Sequence, residues 1–323
     1  MTTVAGAGNW RLTLRRGTAG VTVLRAATCD ECAALPETLL GLPVTALGDH
    51  ALVPGAAETE GEQLTVTAIP SGRPWDNRAL RELELPPALT AAGDYALMNC
   101  AALTTLRLRD GPMRWGTGVL MNCRALGRFE LTRVPGGGGE SLAWLAGELS
   151  RALDVSIREN GTEVLRLFFP EYLEEYEENG PAHHFDYRVH GAGQPYHQAF
   201  RNRRLNLYDY DALWPRFLLG EHELGDAVRL SRFRLDRPEG LTEEASARYE
   251  RYLTDHAAEA LSQLLREEDT AALHRFLRRI VCPVEALRLA AGQARSLSDT
   301  AAGALLLEEL HRRGGGGRSR YEL

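Results

Sequence analysis

The sequence predicts an α+β multidomain chain: an N-terminal β-rich solenoid of leucine-bearing repeats, followed by a mainly α domain that ends in stacked helix pairs. Three observations carry this expectation. A block of sequence recurs with a 23-residue shift, the glycine run Pro135-Gly136-Gly137-Gly138-Gly139 interrupts it, and two helix-start signals lie 30 residues apart near the C-terminus. The expected organisation is a repeat domain over 1–134, a glycine linker over 135–140, a mainly helical domain over 141–313 and a tail over 314–323. At roughly 150 residues per domain, 323 residues suit two domains that each bury a core.

In the repeat region, Gly93-Asp94-Tyr95-Ala96-Leu97-Met98-Asn99-Cys100 returns as Gly116-Thr117-Gly118-Val119-Leu120-Met121-Asn122-Cys123. The same shift carries Leu80, Leu83 and Leu85 onto Leu103, Leu106 and Leu108, and then onto Leu126, Phe129 and Leu131. An earlier, worn copy begins at Val44 and runs through Gly48-Asp49-His50-Ala51-Leu52, with an acidic insertion near Glu58 to Glu62 before the next unit. Each unit holds a strand of x-Leu-x-Leu type whose inward face cannot be buried by one unit alone, so the units must stack.

These residues resemble the BspA-type leucine-rich repeat family, whose units carry an Ile-Gly-x-x-Ala-Phe-x-x-Cys-x-x-Leu consensus. Ala92-Gly93-Asp94-Tyr95-Ala96-Leu97-Met98-Asn99-Cys100 fits it, with Leu97 in the place of the usual Phe. Leu40-Gly41-Leu42-Pro43-Val44-Thr45-Ala46-Leu47-Gly48 is similar to the family's entry segment. The resemblance covers about residues 20–134. It implies a leucine-rich-repeat solenoid and an interaction scaffold, with no inherited catalytic site.

After the glycine run, Leu142, Leu145, Leu149 and Leu153 recur at helical spacing. Val155-Ser156-Ile157 and Val164-Leu165-Arg166-Leu167-Phe168-Phe169 then flank Asn160-Gly161, a favoured hairpin turn. Residues 170–215, rich in Tyr, His and Pro, read as short helices and loops. From about 211 the pattern is helical. Asp269-Thr270-Ala271-Ala272 and Asp299-Thr300-Ala301-Ala302 each offer a cap, and Glu259-Ala260-Leu261 and Glu285-Ala286-Leu287 open the partner helices.

Composition removes several chemistries. All 37 Lys+Arg residues are arginine. A guanidinium stays charged, so Schiff-base catalysis, a phosphate-loop lysine and a Ser-Lys nucleophile are excluded. The net charge of -7 and pI of about 5.8 argue against a nucleic-acid partner. No apolar run reaches the roughly 18 to 20 residues of a membrane span, so no membrane partner is expected. The N-terminus shows no basic start and apolar stretch of a secretory leader, and five sparse cysteines suit reduced thiols. The expected compartment is the cytoplasm. A surface protein outside the cell is the competing reading, because BspA-like repeats often occur there.

Four histidines fall within 15 residues: His183, His184, His190 and His197, with Asp186 among them and Glu174, Glu175, Glu177 and Glu178 upstream. Metal binding needs imidazoles that converge from a defined scaffold. Here His183 and His184 are adjacent, and Gly191, Gly193 and Pro195 break any helix between His190 and His197. A polar, aromatic-rich structural segment is the plainer reading, and His183, His184, Asp186, His190 and His197 are its metal candidates. Cys29-Asp30-Glu31-Cys32 has knuckle spacing, and Cys100 and Cys123 could complete four sulfurs. The repeat explains the latter two as buried fillers one rung apart. Gly191-Ala192-Gly193 and the two four-glycine runs lack phosphate-loop spacing. Arg201-Asn202-Arg203-Arg204 could hold a phosphate or partner carboxylate in a bidentate fork, or pair with the carboxylates of 171–178.

The outward column of the repeat strands reads Glu84, Arg107, Glu130, beside Glu82, Thr105, Arg128. These six residues are the expected partner-binding surface. Their alternating signs should neutralise one another across strands about 4.8 Å apart. The function expected is a non-enzymatic protein–protein interaction scaffold without cofactor, an adaptor whose repeat face and helix-pair groove take different protein partners. The alternative is a metal-binding protein or hydrolase using 183–197.

Overall fold

The computed structural model describes residues 2–4, 8–67, 72–134, 139–179 and 184–314. Linker positions 135–138 and the tail from 315 onward lie outside the described residues. In chain order come strands β1 (Thr2–Val4), β2 (Trp10–Arg16), β3 (Val21–Ala27), β4 (Cys32–Ala34), β5 (Thr38–Leu39), β6 (Leu42–Leu47), β7 (Glu62–Val66) and β8 (Glu82–Glu84). Then follow β9 (Ala91–Ala92), β10 (Thr105–Asp110), β11 (Arg114–Trp115), β12 (Arg128–Arg133), helix α1 (Glu140–Glu148), β13 (Leu153–Glu159) and β14 (Thr162–Phe169). Beyond these lie β15 (Leu173–Asn179), β16 (His184–His190), α2 (Gln194–His197), β17 (Phe200–Arg201), β18 (Arg204–Leu205), α3 (Leu207–Ala212) and α4 (Trp214–Leu219). The chain closes with α5 (Leu224–Asp236), α6 (Glu243–Asp255), α7 (Ala257–Arg266), α8 (Thr270–Arg279), α9 (Val284–Ser296) and α10 (Thr300–Gly314). Two compact units result, one of residues 1–163 with 200–205, the other of 164–199 with 206–323.

The first unit is a β-solenoid of about 6 turns. One of its sheets runs β1-β7-β2-β3-β6-β9-β11, with β5 paired to β6. The other carries the parallel neighbours β4, β8, β10, β12 and β13. The 23-residue repeat sets the register directly, since Leu83 faces Leu106 and Leu106 faces Phe129. Past the glycine run the same column goes on, with Phe129 facing Val155 and Leu131 facing Ile157. Leu83, Leu106, Phe129 and Val155 have no measurable exposure, and each such side chain contributes roughly 1.5–3 kcal/mol by leaving water.

The turns between strands explain the repeated Gly-Asp and Asn-Cys pairs. A Cβ on Gly93 would come within 2.6 Å of the backbone at Gly48 and Asp49, and one on Gly116 within 2.6 Å of Gly93 and Asp94. Only glycine lets successive turns approach this closely. The Asp49 carboxylate accepts from the Asp94 amide at 2.9 Å, and Asp94 accepts from the Thr117 amide at 2.7 Å, so each turn caps the next. Asn99 and Asn122 take left-handed φ values of 65° and 60°, and the Asn122 amide donates to Asn99 Oδ1 at 2.9 Å. Helix α1 buries Leu142, Leu145 and Ala146 in this unit. Asn160 and Gly161 both have positive φ, as the favoured hairpin turn requires.

The second unit is mainly helical. Asp269 accepts from the Ala272 amide at 2.8 Å and Asp299 from the Ala302 amide at 2.9 Å, the two caps expected 30 residues apart. Helices α7 and α8 form one pair and α9 and α10 the next, with α9 packed on α7. The same unit holds an aromatic core of Tyr196, Tyr210, Trp214, Phe217 and Tyr249. Within it, Arg234 forms a buried fork with both Asp211 oxygens at 2.9 Å, and Tyr249 donates to the same carboxylate at 2.9 Å. Tertiary satisfaction of this kind is what makes a fully buried ion pair tolerable. Segment 170–215 departs from the loops and short helices that its composition suggests, for it contains two seven-residue strands, β15 and β16. Their periodicity is hidden because neither face is an apolar one turned to a core. Among the described residues no helix is long and apolar enough to cross a membrane.

Candidate functional site

The six ladder residues expected to meet a partner lie on adjacent strands in the expected columns: Glu82, Thr105 and Arg128 face one another, as do Glu84, Arg107 and Glu130. Arg107 pairs within its own column with Glu130 and also reaches diagonally to Glu82. Its guanidinium meets Glu82 at 2.7 Å and Glu130 at 3.2 Å. Glu130 also lies 4.0 Å from Arg128 and 3.7 Å from Arg158. Burial works against the Arg107 charge, but the hydrogen bonds and attraction of Glu82 and Glu130 outweigh it and hold its pKa above the usual arginine value. Thr105 is only 5% exposed, a short side chain in a column with two long ones, and offers almost no surface. Most of this outward face is a network that satisfies itself, while Glu84, exposed, makes no ion pair among the described residues.

Cys100 and Cys123 occupy equivalent turns and are buried; their thiols donate to the carbonyls of Leu52 at 3.4 Å and Leu97 at 3.1 Å. Burial pushes the Cys100 thiol far up and the Cys123 thiol up to about 11, so neither is a thiolate at neutral pH. Cys29 is buried while Cys32 is exposed. Among the described residues no three His, Cys, Asp or Glu side chains cluster as a metal would need.

The histidine segment is split by the fold. His183 lies outside the described residues, and His184 stands on β16 opposite Asn179. His190 and Asp186 stand on β16 in solvent, His190 Nε2 3.0 Å from Glu175. His197 is buried on α2, its Nε2 2.9 Å from the Pro170 carbonyl and its ring packed edge-on against Phe169 and Tyr172. It is a core histidine with its ring nitrogen already engaged.

What the segment builds instead is an antiparallel ribbon, β15 against β16, with no third strand among the described residues. Alternation puts Glu174 and Tyr176 with Tyr187 and Val189 on one face, and Glu175 and Glu177 with Asp186, Arg188 and His190 on the other. Every side chain described on either face is exposed, Tyr176 by 67% and Leu173 by 59%. Tyr176 and Tyr187 sit opposite each other with ring centres 4.9 Å apart. Tyr187 donates to Glu174 at 2.7 Å, and Gln194 donates to both at 3.1 and 3.0 Å. That carboxylate, holding the phenolic proton, raises the Tyr187 pKa. On the other face Glu175 faces Arg188, but Glu177 faces Asp186, two like charges directly opposed.

Tyr176, Tyr187 and Val189, on one face, are thus the residues that a search for metal ligands passes over, while Leu173 lies on the other face opposite His190. Their signal was the alternation Phe-Asp-Tyr-Arg-Val in β16, a strand pattern without a buried face. No family model, no curated protein and no solved structure matches this chain.

Proposed function

We propose that this chain is a non-enzymatic protein–protein interaction scaffold, a BspA-type leucine-rich repeat solenoid joined to a helical-repeat unit, and that its partner in the cytoplasm is taken on the β15–β16 ribbon. One observation carries the reading: a two-stranded ribbon with the large side chains of Tyr176, Tyr187 and Val189 in water on one face. Isolated two-stranded ribbons are marginal in water, and exposed strand edges invite pairing unless they are blunted. Aromatic anchors on such an edge are the usual centre of a protein interface.

The solenoid's charged ladder is the second candidate face of an adaptor, and its internal pairing makes it the weaker one. Both are tested together by placing a photo-crosslinking benzoylphenylalanine at position 176, 187 or 84 of the full chain in its native host. Adducts of one defined mass from 176 and 187 are expected. Adducts from 84 alone would move recognition to the solenoid, and adducts from none of the three would overturn the scaffold.

A further inference from the structure

We infer that the end of the solenoid holds a small-molecule site for a flat nitrogen heterocycle that carries an N–H donor and an anionic group. The site is a cleft of about 630 Å³ within the first unit, a volume in the usual range of ligand pockets. Its floor is apolar, made by Met113, Ala143 and the indoles of Trp115 and Trp144. The two indoles stack face to face, ring centres 4.0 Å apart and planes within 2°. Trp115 ends β11, the last strand of its sheet, and Trp144 comes from α1. The stack accounts for one face of each indole; both rings remain only half-buried, leaving aromatic surface toward the cleft.

Three charged side chains, Glu140, Arg114 and Arg203, line the same cleft. Glu140 Oε2 is buried and has no hydrogen-bond partner, an unusual state for a carboxylate oxygen. Arg114 and Arg203 line the same cleft, and neither makes an ion pair among the described residues. Arg203 is also placed at a conformational cost. It is the second residue of the tight turn Asn202-Arg203 between β17 and β18, with φ of 51° and 60°. Asparagine tolerates the first position, whereas glycine is the residue normally demanded at the second. An arginine kept there brings a guanidinium to the cleft in a geometry that the turn by itself disfavours.

The ligand chemistry follows from these groups. An indole face selects a flat ring. The Glu140 carboxylate, on a side-chain rotation that brings its partnerless oxygen out to the cleft, accepts from an N–H on that ring, and the guanidiniums of Arg114 and Arg203 take a phosphate or carboxylate by paired hydrogen bonds. A nucleotide and an indole-type aromatic acid share this chemistry. The site is independent of the ribbon and of any protein partner.

The test is calorimetric titration of the full chain with adenosine 5′-monophosphate and with indole-3-acetate, against adenosine, indole and inorganic phosphate as half-ligands. At least one full ligand is expected to bind saturably and at least tenfold more tightly than its halves; which one binds identifies the source. Arg203→Gln should weaken it tenfold or more and leave the ring-only half unchanged, while Glu140→Leu should weaken both. Arg203→Gly separates ligand binding from folding: the melting temperature should rise, as the turn gains its preferred residue, while binding of the full ligand falls tenfold. Saturation by neither full ligand at millimolar concentration, or full affinity retained in Arg203→Gln and Arg203→Gly, overturns the site.

Discussion

The strands β8, β10 and β12 and the ribbon strand β16 are built from similar material, alternating apolar and charged residues, and behave in opposite ways. In the solenoid, Leu83, Leu106 and Phe129 are buried in one column, while outside it Arg107 bridges Glu82 and Glu130. In the ribbon, Tyr176 and Tyr187 keep their faces in solvent, and Glu177 stands against Asp186. The difference lies in what covers the apolar face. Stacked repeats supply their own cover, so a strand's outward charges are free to arrange for mutual neutrality. A ribbon without cover retains exposed apolar surface, which a partner can bury.

The comparison breaks first at the buried column. Phe129→Ala should cost about 3–5 kcal/mol in urea unfolding, because Phe129 is wholly buried between neighbouring strands. Loss of less than about 1 kcal/mol would mean that the column is not packed as described. Gly93→Ala should cost about 1–3 kcal/mol, since its Cβ would meet backbone, which cannot swing aside as a side chain can.

A buried carboxylate at the end of α10 sharpens the contrast between held and exposed charge. Burial of Glu309 opposes its ionisation, but hydrogen bonds from Arg312 and Arg313 outweigh this and keep its pKa below the ordinary 4.5. The stability it gives is therefore present above about pH 4.5 and lost as pH falls through the lowered value. Glu309→Gln should remove about 1 kcal/mol at neutral pH and flatten that acid limb in a melting-temperature profile. Arg107→Gln should cost no more than about 1 kcal/mol, as for other half-exposed pairs. Smallest of all, Tyr176→Ala should alter stability by less than about 0.5 kcal/mol, because the ring is mostly in solvent. Yet it should reduce the crosslinking yield from position 187, a split between stability and recognition that no solenoid core residue can show.

Much of the fold was legible in the residues. The 23-residue shift is the strand register itself, Asp269 and Asp299 cap the helices they precede, and Asn160-Gly161 makes its turn. The candidate sites were far less legible. His190 and His197 lie 7 positions apart in the sequence, yet one stands on an exposed strand and the other in a core. Thr105 shares an outward column with Glu82 and Arg128 and is still shielded from solvent. Trp115 and Trp144 are 29 residues apart with no repeat relating them, so nothing in their spacing announces a stack.

By itself the sequence determined the repeat, its register, the caps and the absence of lysine chemistry, because these rest on local spacing and on residue type. Only the tertiary structure decided which strands find a cover, which carboxylate oxygen is left without a partner and which arginines gather around a pair of indoles. Those outcomes depend on contacts between residues far apart in the chain, where burial and electrostatic pairing are set by the whole fold and leave no periodic trace.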